Sequence, residues 1–317
     1  MSGPRLAIGL DVGGTKIAGG VVTDEGRVLE HSWRATPAGG ESATVDTIEQ
    51  MVGDLRARRP GVEAIGVGAA GMVEWPGGRI RYAPNNSYEN LPLRELLEEA
   101  TGLPAVVDND ANTAAWAEAR LGGGARCDHL VMLTVGTGIG GGLVLGGEVY
   151  RGSTGLGAEV GHLIVDPRGA RCTCGNHGCF EAMASGTALS RLARQAVADN
   201  PTSRLAQLTG TPEHVTGKIV ALAAHEGDPT ARALFDEIGY WLGVGIASLV
   251  TIFDPELVVI GGGLVETYRL LFPSLSACFE RYVFGRSHRV LPVLTPARLR
   301  LDAGLIGAAT LALHHYA

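Results

Sequence analysis

A strand, a glycine turn and a second strand occur twice in this chain, more than a hundred residues apart, and that duplication limits the possible folds more than any other feature. The first copy reads as a strand over Leu6–Leu10, then Asp11-Val12-Gly13-Gly14-Thr15-Lys16, then a strand through Val22. There Asp24-Glu25-Gly26 turns the chain into a third strand, Arg27–Trp33. The second copy reads as a strand over His129–Val135, then Gly136-Thr137-Gly138-Ile139-Gly140-Gly141-Gly142, a strand Leu143–Leu145, a Gly146-Gly147 turn and a strand Glu148–Tyr150. Laid together, Asp11 matches Thr134, Gly13 matches Gly136, Gly14 matches Thr137 and Thr15 matches Gly138. Glycines directly after a strand let backbone amides approach phosphate oxygens, and an aspartate at the strand end can hold Mg2+ through water. One such turn is weak evidence, since an ordinary hairpin would also explain it. Two equivalent turns predict a duplicated two-domain α/β protein that grips the phosphates of a nucleotide. Asp11, Gly13, Gly14, Thr15, Lys16, Thr137 and Gly138 are its candidate contacts. A third turn, Gly261-Gly262-Gly263, follows a strand over Leu257–Ile260, where close backbone approach suits a flat adenine or a ribose. A third turn in this position is suggestive, with a tight strand-to-helix connection as the alternative.

A length of 317 residues exceeds what one core usually supports, so two domains are expected. We place a small α/β domain at residues 1–120, completed by a C-terminal helix over 303–317, and a large α/β domain at 121–302. Apolar residues at helical spacing predict helices over Ala43–Arg58, Gly186–Asp199, Thr216–His225 and Ala303–His315, with Pro229–Phe253 as one long apolar helix or a pair. A net charge of −7 without a basic face argues against nucleic acid as a partner. Asp11 interrupts the first apolar run before it could serve as a signal peptide. The uncharged apolar run Ile238–Phe253 is shorter than the ~18 residues of a membrane span. Five cysteines, an odd number and clustered, fit the reducing cytoplasm better than a disulfide framework.

Three of those cysteines, Cys172, Cys174 and Cys179, fall within eight residues, and His162 precedes the first by ten. Together they supply a tetrahedral Cys3His set for structural zinc. Closing it would tie one loop into a knot that carries Glu159 and Glu181 into place, two acids able to accept hydrogen bonds from a polyhydroxylated ligand. The plainer alternatives are small buried thiols, or a zinc site remote from any chemistry. A strand over Ala105–Val107 runs into Asp108-Asn109-Asp110 and a helix over Ala111–Leu121. That puts Asn109 and Asp110 where α/β proteins bind ligands, and also where a helix needs a cap. In the loop Pro84-Asn85-Asn86-Ser87, amides such as that of Asn85 could bond sugar hydroxyls, although asparagine is common in turns.

Five segments of this chain, D-V-G-G-T-K, D-N-D-A-N, G-T-G-I-G-G-G, the long G-H-L-I-V-D-P run through C-T-C-G-N-H-G-C-F-E, and V-I-G-G-G, together resemble the ROK (repressor, open reading frame, kinase) family of bacterial sugar kinases. Within it the resemblance is strongest to the glucokinases. It implies an actin-like ATPase (ribonuclease H-like) fold: two α/β domains around a central cleft, each with a mixed five-stranded sheet, plus a zinc-binding loop. It implies ATP-dependent phosphorylation of glucose with Mg2+, Asp110 as the general base, and Asn109, Glu159, His162 and Glu181 on the sugar. It implies zinc on His162, Cys172, Cys174 and Cys179, so that His162 could serve metal and sugar with its two ring nitrogens. A cytoplasmic homodimer or homotetramer is expected. Repressors of the family carry an amino-terminal winged helix-turn-helix; here the first glycine loop begins by Asp11, leaving no room for one. A kinase for mannose, fructose or an N-acetylated amino sugar stands as the close alternative, and a catalytically idle sugar sensor as the distant one. Asp110 and both phosphate loops argue against the sensor.

Overall fold

The structure is a computed structural model and describes residues 3–83, 88–125 and 127–316. Asn85 and its loop therefore lie outside the described residues. The chain forms two compact units. One takes in the chain up to Met132, Gly141–Ala158 and the chain from Ala297 onward; the other takes in Leu133–Gly140 and Glu159–Pro296.

The strands are β1 (Leu6–Val12), β2 (Lys16–Thr23), β3 (Val28–Ala35), β4 (Val62–Ala69), β5 (Met72–Glu74), β6 (Arg79–Tyr82), β7 (Glu89–Leu91), β8 (Ala105–Asn109), β9 (Leu130–Val135), β10 (Ile139–Leu145), β11 (Glu148–Val149), β12 (Leu257–Gly261) and β13 (Val293–Pro296). One five-stranded sheet has the order β3-β2-β1-β4-β8 and the other β11-β10-β9-β12-β13, so the two share one plan once β9 is laid on β1. In the first, β1, β2 and β3 pair antiparallel, while β4 lies parallel to both β1 and β8. The duplication expected from the glycine turns is thus present in the strand order of both sheets. The buried run V-E-A-I-G-V-G-A of β4 and the fully buried L-V-V-I-G of β12 suit inner parallel strands covered on both faces. By contrast β3 alternates in exposure and carries Glu30 and Arg34, charges that protect an edge. The strands β5, β6 and β7 form a small separate sheet.

The C-terminal helix, Ala303–His315, is buried along almost its whole length. Leu305, Ile306, Ala309 and Leu311 pack with Ala7 of β1, Ala64 of β4, Val106 of β8 and Trp116. Pro229–Phe253 is one helix of 25 residues, long and apolar enough by composition to cross a membrane. Its apolar side is occupied within the protein: Phe235, Ile238, Leu242 and Ile246 are buried, and it packs along the helix Tyr268–Tyr282.

Two boundaries differ from expectation in ways that matter for the site. β8 continues to Asn109, which makes Asp108 a strand residue. β10 begins at Ile139 rather than Leu143, so Gly140, Gly141 and Gly142 belong to the strand and not to the turn. The reason lies in packing. A Cβ on Gly142 would stand 2.4 Å from the carbonyl oxygen of Ala111, so the strand and the helix Asp110–Arg120 meet at a distance only glycine allows.

Candidate active site

The three polar residues at the end of β8 have separate tasks. Asp108 is 2% exposed. Its Oδ2 accepts from Arg151 Nε at 2.7 Å, and its Oδ1 accepts from the Asn109 amide at 2.8 Å and from Asn112 Nδ2 at 2.9 Å. Asn109 is the N-cap: its Oδ1 accepts from the amides of Ala111 (2.8 Å) and Asn112 (3.2 Å), while its Nδ2 donates to the Gly71 carbonyl at 3.0 Å. Only Asp110, the first residue of the helix, has a carboxylate not consumed by structure. One oxygen accepts from the Ala111 amide at 2.8 Å. Partly open to solvent and crowded by protein elsewhere, its carboxyl is pushed up by burial to about 6, with the Ala111 amide pulling the other way. Asp11, near the end of β1, is pushed up to about 7, first by burial and then by the charge of Asp110, while Lys16 draws it down. The fold therefore brings Asp11 and Asp110 into one electrostatic neighbourhood, and the first turn of the C-terminal helix, at Gly304, lies against the Asp11 carboxyl.

Both glycine turns are braced from behind. In the first, the Gly13 amide donates to the Lys16 carbonyl at 3.0 Å, and Thr36 holds the loop with its hydroxyl on the Gly13 carbonyl (2.7 Å) and its amide on that of Thr15 (3.0 Å). In the second, the Gly136 amide donates to the Gly138 carbonyl at 3.0 Å. The start of the helix Gly186–Asp199 supplies the brace. The Gly186 amide reaches the Gly136 carbonyl at 2.8 Å, and Thr187 reaches that of Thr137 through its amide (3.2 Å) and hydroxyl (2.7 Å). The carbonyls are thereby used internally, which suits turns meant to present amides to an anion. The third turn is built differently. Gly262 has φ +87°, and a Cβ there would lie 2.5 Å from the Val135 carbonyl oxygen, so this glycine is required for packing against the second turn. Gly263 has nothing within 4 Å of the corresponding position and is open to a ligand.

In the other unit, His162, Cys172, Cys174 and Cys179 come together as the sequence predicts, each offering an atom within 4.8 Å of the others. Short-range hydrogen bonds close the loop: the Gly175 amide to the Cys172 carbonyl (3.1 Å), the Cys172 amide to that of Asn176 (2.8 Å) and the Gly178 amide to that of Ala170 (2.7 Å). A tetrahedral ion with Zn–S bonds of about 2.3 Å holds two sulfurs about 3.8 Å apart. Cys174 and Cys179 Sγ are 3.6 Å apart, and His162 Nδ1 is 3.8 Å from Cys172 Sγ. The donor set and its spacing therefore fit zinc, with Nδ1 as the imidazole ligand. Burial, and after it the crowding of thiols, pushes Cys179 up to about 12, whereas the Asn176 amide brings the more exposed Cys174 down to about 7. Glu181 adjoins this knot. Cys172 Sγ donates to its Oε1 at 3.2 Å, and the Ile139 amide donates to its Oε2 at 3.4 Å, so this acid links the cysteine loop to the second glycine turn. Glu159 is exposed, and its carbonyl accepts from the His162 amide at 3.0 Å.

With this geometry in view, the family profile described as ROK family matches residues 7–315. The chain belongs to the ROK family. A glucokinase of Streptomyces coelicolor is 41% identical over 97% of this chain and 97% of its own. Among solved structures, a ROK family glucokinase from Streptomyces griseus in complex with glucose and AMPPNP superposes with a TM-score of 0.86 at 40% identity, covering 98% of this chain and 99% of that one. A ROK hexokinase from Thermus thermophilus gives a TM-score of 0.85 at 39% identity, with 98% and 99% covered. The actin-like fold implied by the motifs is therefore that of this ROK protein.

Two buried pairings in this ROK protein escape a reading of the motifs. Arg151, which neutralises Asp108, lies 43 residues beyond it in the chain. Glu118 is wholly buried, and its oxygens accept from the amides of Gly123 (3.0 Å) and Leu299 (2.7 Å), fixing the segment that leads into the C-terminal helix. A lone arginine and a lone helical glutamate carry no local signal of such pairings.

Proposed function

We propose that this protein is a glucokinase, transferring the γ-phosphoryl group of ATP to the 6-hydroxyl of glucose. The observation that carries the reading is Asp110: one unspent carboxylate at a strand-to-helix corner, poised near neutrality, in a chain 41% identical to a glucokinase. A sugar hydroxyl is a poor nucleophile, and a carboxylate with a pKa of about 6 is ionised at pH 7 yet basic enough to take its proton as the bond to phosphorus forms. Asn109, Glu159, His162 and Glu181 are assigned to the sugar. With His162 Nδ1 turned to the cysteines, its Nε2 is the ring nitrogen assigned to a hydroxyl. The turns at Gly13–Lys16 and Thr137–Gly138 are assigned to phosphate oxygens, the first through amides beyond that of Gly13, which is bonded within the turn, and Gly261–Gly263 to the adenosine end. Asp11, held near neutrality beside a second acid, has the character of a group awaiting a cation, and Mg2+ there would offset phosphate charge. Zinc on the Cys3His set would rigidify the loop that carries Glu181.

ADP release measured across a panel of hexoses, with ATP and with polyphosphate as donor, tests the reading. Glucose with ATP is expected to give the highest kcat/KM. Release that no hexose stimulates would return the protein to the class of sugar sensors, and preference for another hexose would identify a sister kinase. Because Asp110 must be ionised to act, kcat/KM for glucose is expected to fall about tenfold per pH unit below pH 6. A flat profile from pH 5 to 8 would place the base elsewhere.

The nucleotide assignment has its own probe. Gly263→Val adds bulk to an open position and is expected to raise KM for ATP roughly five- to tenfold while leaving that for glucose within about twofold. Gly262→Val is the wrong variant for this purpose, since its side chain would collide with the Val135 backbone and disturb the second turn.

A further inference from the structure

We propose that Arg151 is a positioning residue for phosphoryl transfer, a reading that rests on Asp110 being the base. The corner bearing Asp110 is held by the Asp108 carboxylate, which has no solvent to neutralise it and depends on Arg151 for its countercharge; side-chain exposures are 3% and 11%. Arg151 is in turn held at three points. Its Nε–H is spent on Asp108 at 2.7 Å, its Nη1 donates to the Val149 carbonyl at 3.2 Å, and its guanidinium lies 3.7 Å from the centroid of the Trp75 ring. Trp75 is itself tied to the segment after Arg151, its amide donating to the Thr154 carbonyl at 3.1 Å. One planar cation thus joins the end of β11, the loop at Trp75 and the Asp108-Asn109-Asp110 corner. Asp108 passes that constraint on through its Oδ1, which accepts from the amide of Asn109 and the side chain of Asn112 on either side of Asp110. Removing the guanidinium cuts all three ties, which frees the corner to move whatever its charge, and also leaves a buried, uncompensated carboxylate two residues from the base. A displacement of about 1 Å at a reacting group is enough to cost on the order of a hundredfold in rate. Lysine cannot replace it, because an ammonium offers neither the fork nor the flat face.

Steady-state kinetics and melting temperatures of the wild type, Asp110→Asn, Arg151→Met, Arg151→Lys and the double variant Asp108→Asn/Arg151→Met test the assignment. Arg151→Met is expected to lower kcat about 10- to 100-fold with KM for ATP within about twofold. The acid limb of its kcat/KM profile should move to higher pH, since the unpaired Asp108 charge now opposes ionisation of Asp110. Arg151→Lys should recover only part of the loss. The double variant, which has no uncompensated charge, should regain stability but not kcat. Arg151→Met that melts lower while keeping kcat and the acid limb of the wild type would overturn the proposal, and so would a double variant that regains turnover as well as stability. If Arg151→Met does not fold, Arg151→Lys and the double variant decide by the same readouts. A wild type without hexose-dependent turnover, or an Asp110→Asn variant of undiminished kcat, would instead defeat the underlying assignment of function.

Discussion

Asp110→Asn is expected to lower kcat by about 10²- to 10⁴-fold, the usual contribution of a general base, and at pH 8 to melt at a higher temperature than the wild type. Both effects come from the same burial. The carboxyl titrates at 3.8 when unfolded and at about 6 in the folded protein. Between those values the unfolded chain has released its proton while the folded chain retains it, so stability falls as pH rises through the window, and above about pH 7 the whole cost is present. A rise from 3.8 to about 6 corresponds to roughly 3 kcal/mol, an upper figure for a group with some solvent access. Asparagine keeps the shape and can still accept from the Ala111 amide, but carries no charge to desolvate or to oppose Asp11. A gain of on the order of 1–3 kcal/mol raises the melting temperature by several degrees in a protein of this size. At pH 4 the gain should almost vanish. Turnover near that of the wild type would show that the base lies elsewhere, and a lower melting temperature at pH 8 would make Asp110 a structural residue.

How much of this was legible in the sequence follows the distance over which each feature is encoded. The glycine turns and the Cys3His set are local patterns, and the strand-order duplication and the metal-ligand geometry both appear where the motifs place them. The division of labour in Asp108-Asn109-Asp110 was not legible, because it depends on partners far along the chain: Arg151 for Asp108 and Gly71 for Asn109. From sequence all three are equally good caps or ligands. The run of glycines after Thr137 reads as turn because ligand approach and close packing make the same demand of a residue. Only the position of Ala111 shows that Gly142 answers to a helix. The helix Tyr268–Tyr282 is not legible in the sequence, because Pro273 in its second turn removes an amide donor and masks the helical pattern. Pro229–Phe253 shows the opposite case, a composition that suits a membrane but is consumed by packing.

Elemental analysis is expected to find one zinc per chain, and removing it should weaken stability and sugar binding together. Four N/S ligands in tetrahedral proximity bind zinc tightly, with apparent energies of about 10–16 kcal/mol in small peptides whose folding it drives. Here most of each sheet would survive the loss, so the effect should be local. The loop from His162 to Cys179 opens, and with it the anchorage of Phe180, a fully buried side chain, and of Glu181 beside it. Because Glu181 follows Cys179 by two residues and accepts from the Ile139 amide, its displacement should reach the second glycine turn as well as the sugar. Cys179→Ser, at a fully buried ligand, is expected to lose the metal, lower the melting temperature by at least several degrees and raise KM for glucose tenfold or more. Cys278→Ser is the control, a buried thiol outside the cluster, and should retain the metal and both kinetic constants. The order of events under a chelator separates cause from consequence. If zinc organises the site, loss of glucose affinity should track metal release before any global unfolding is seen by circular dichroism. A metal-free protein that remains folded with an unchanged KM for glucose would reduce the four residues to a cluster of packed thiols and detach the loop from the chemistry.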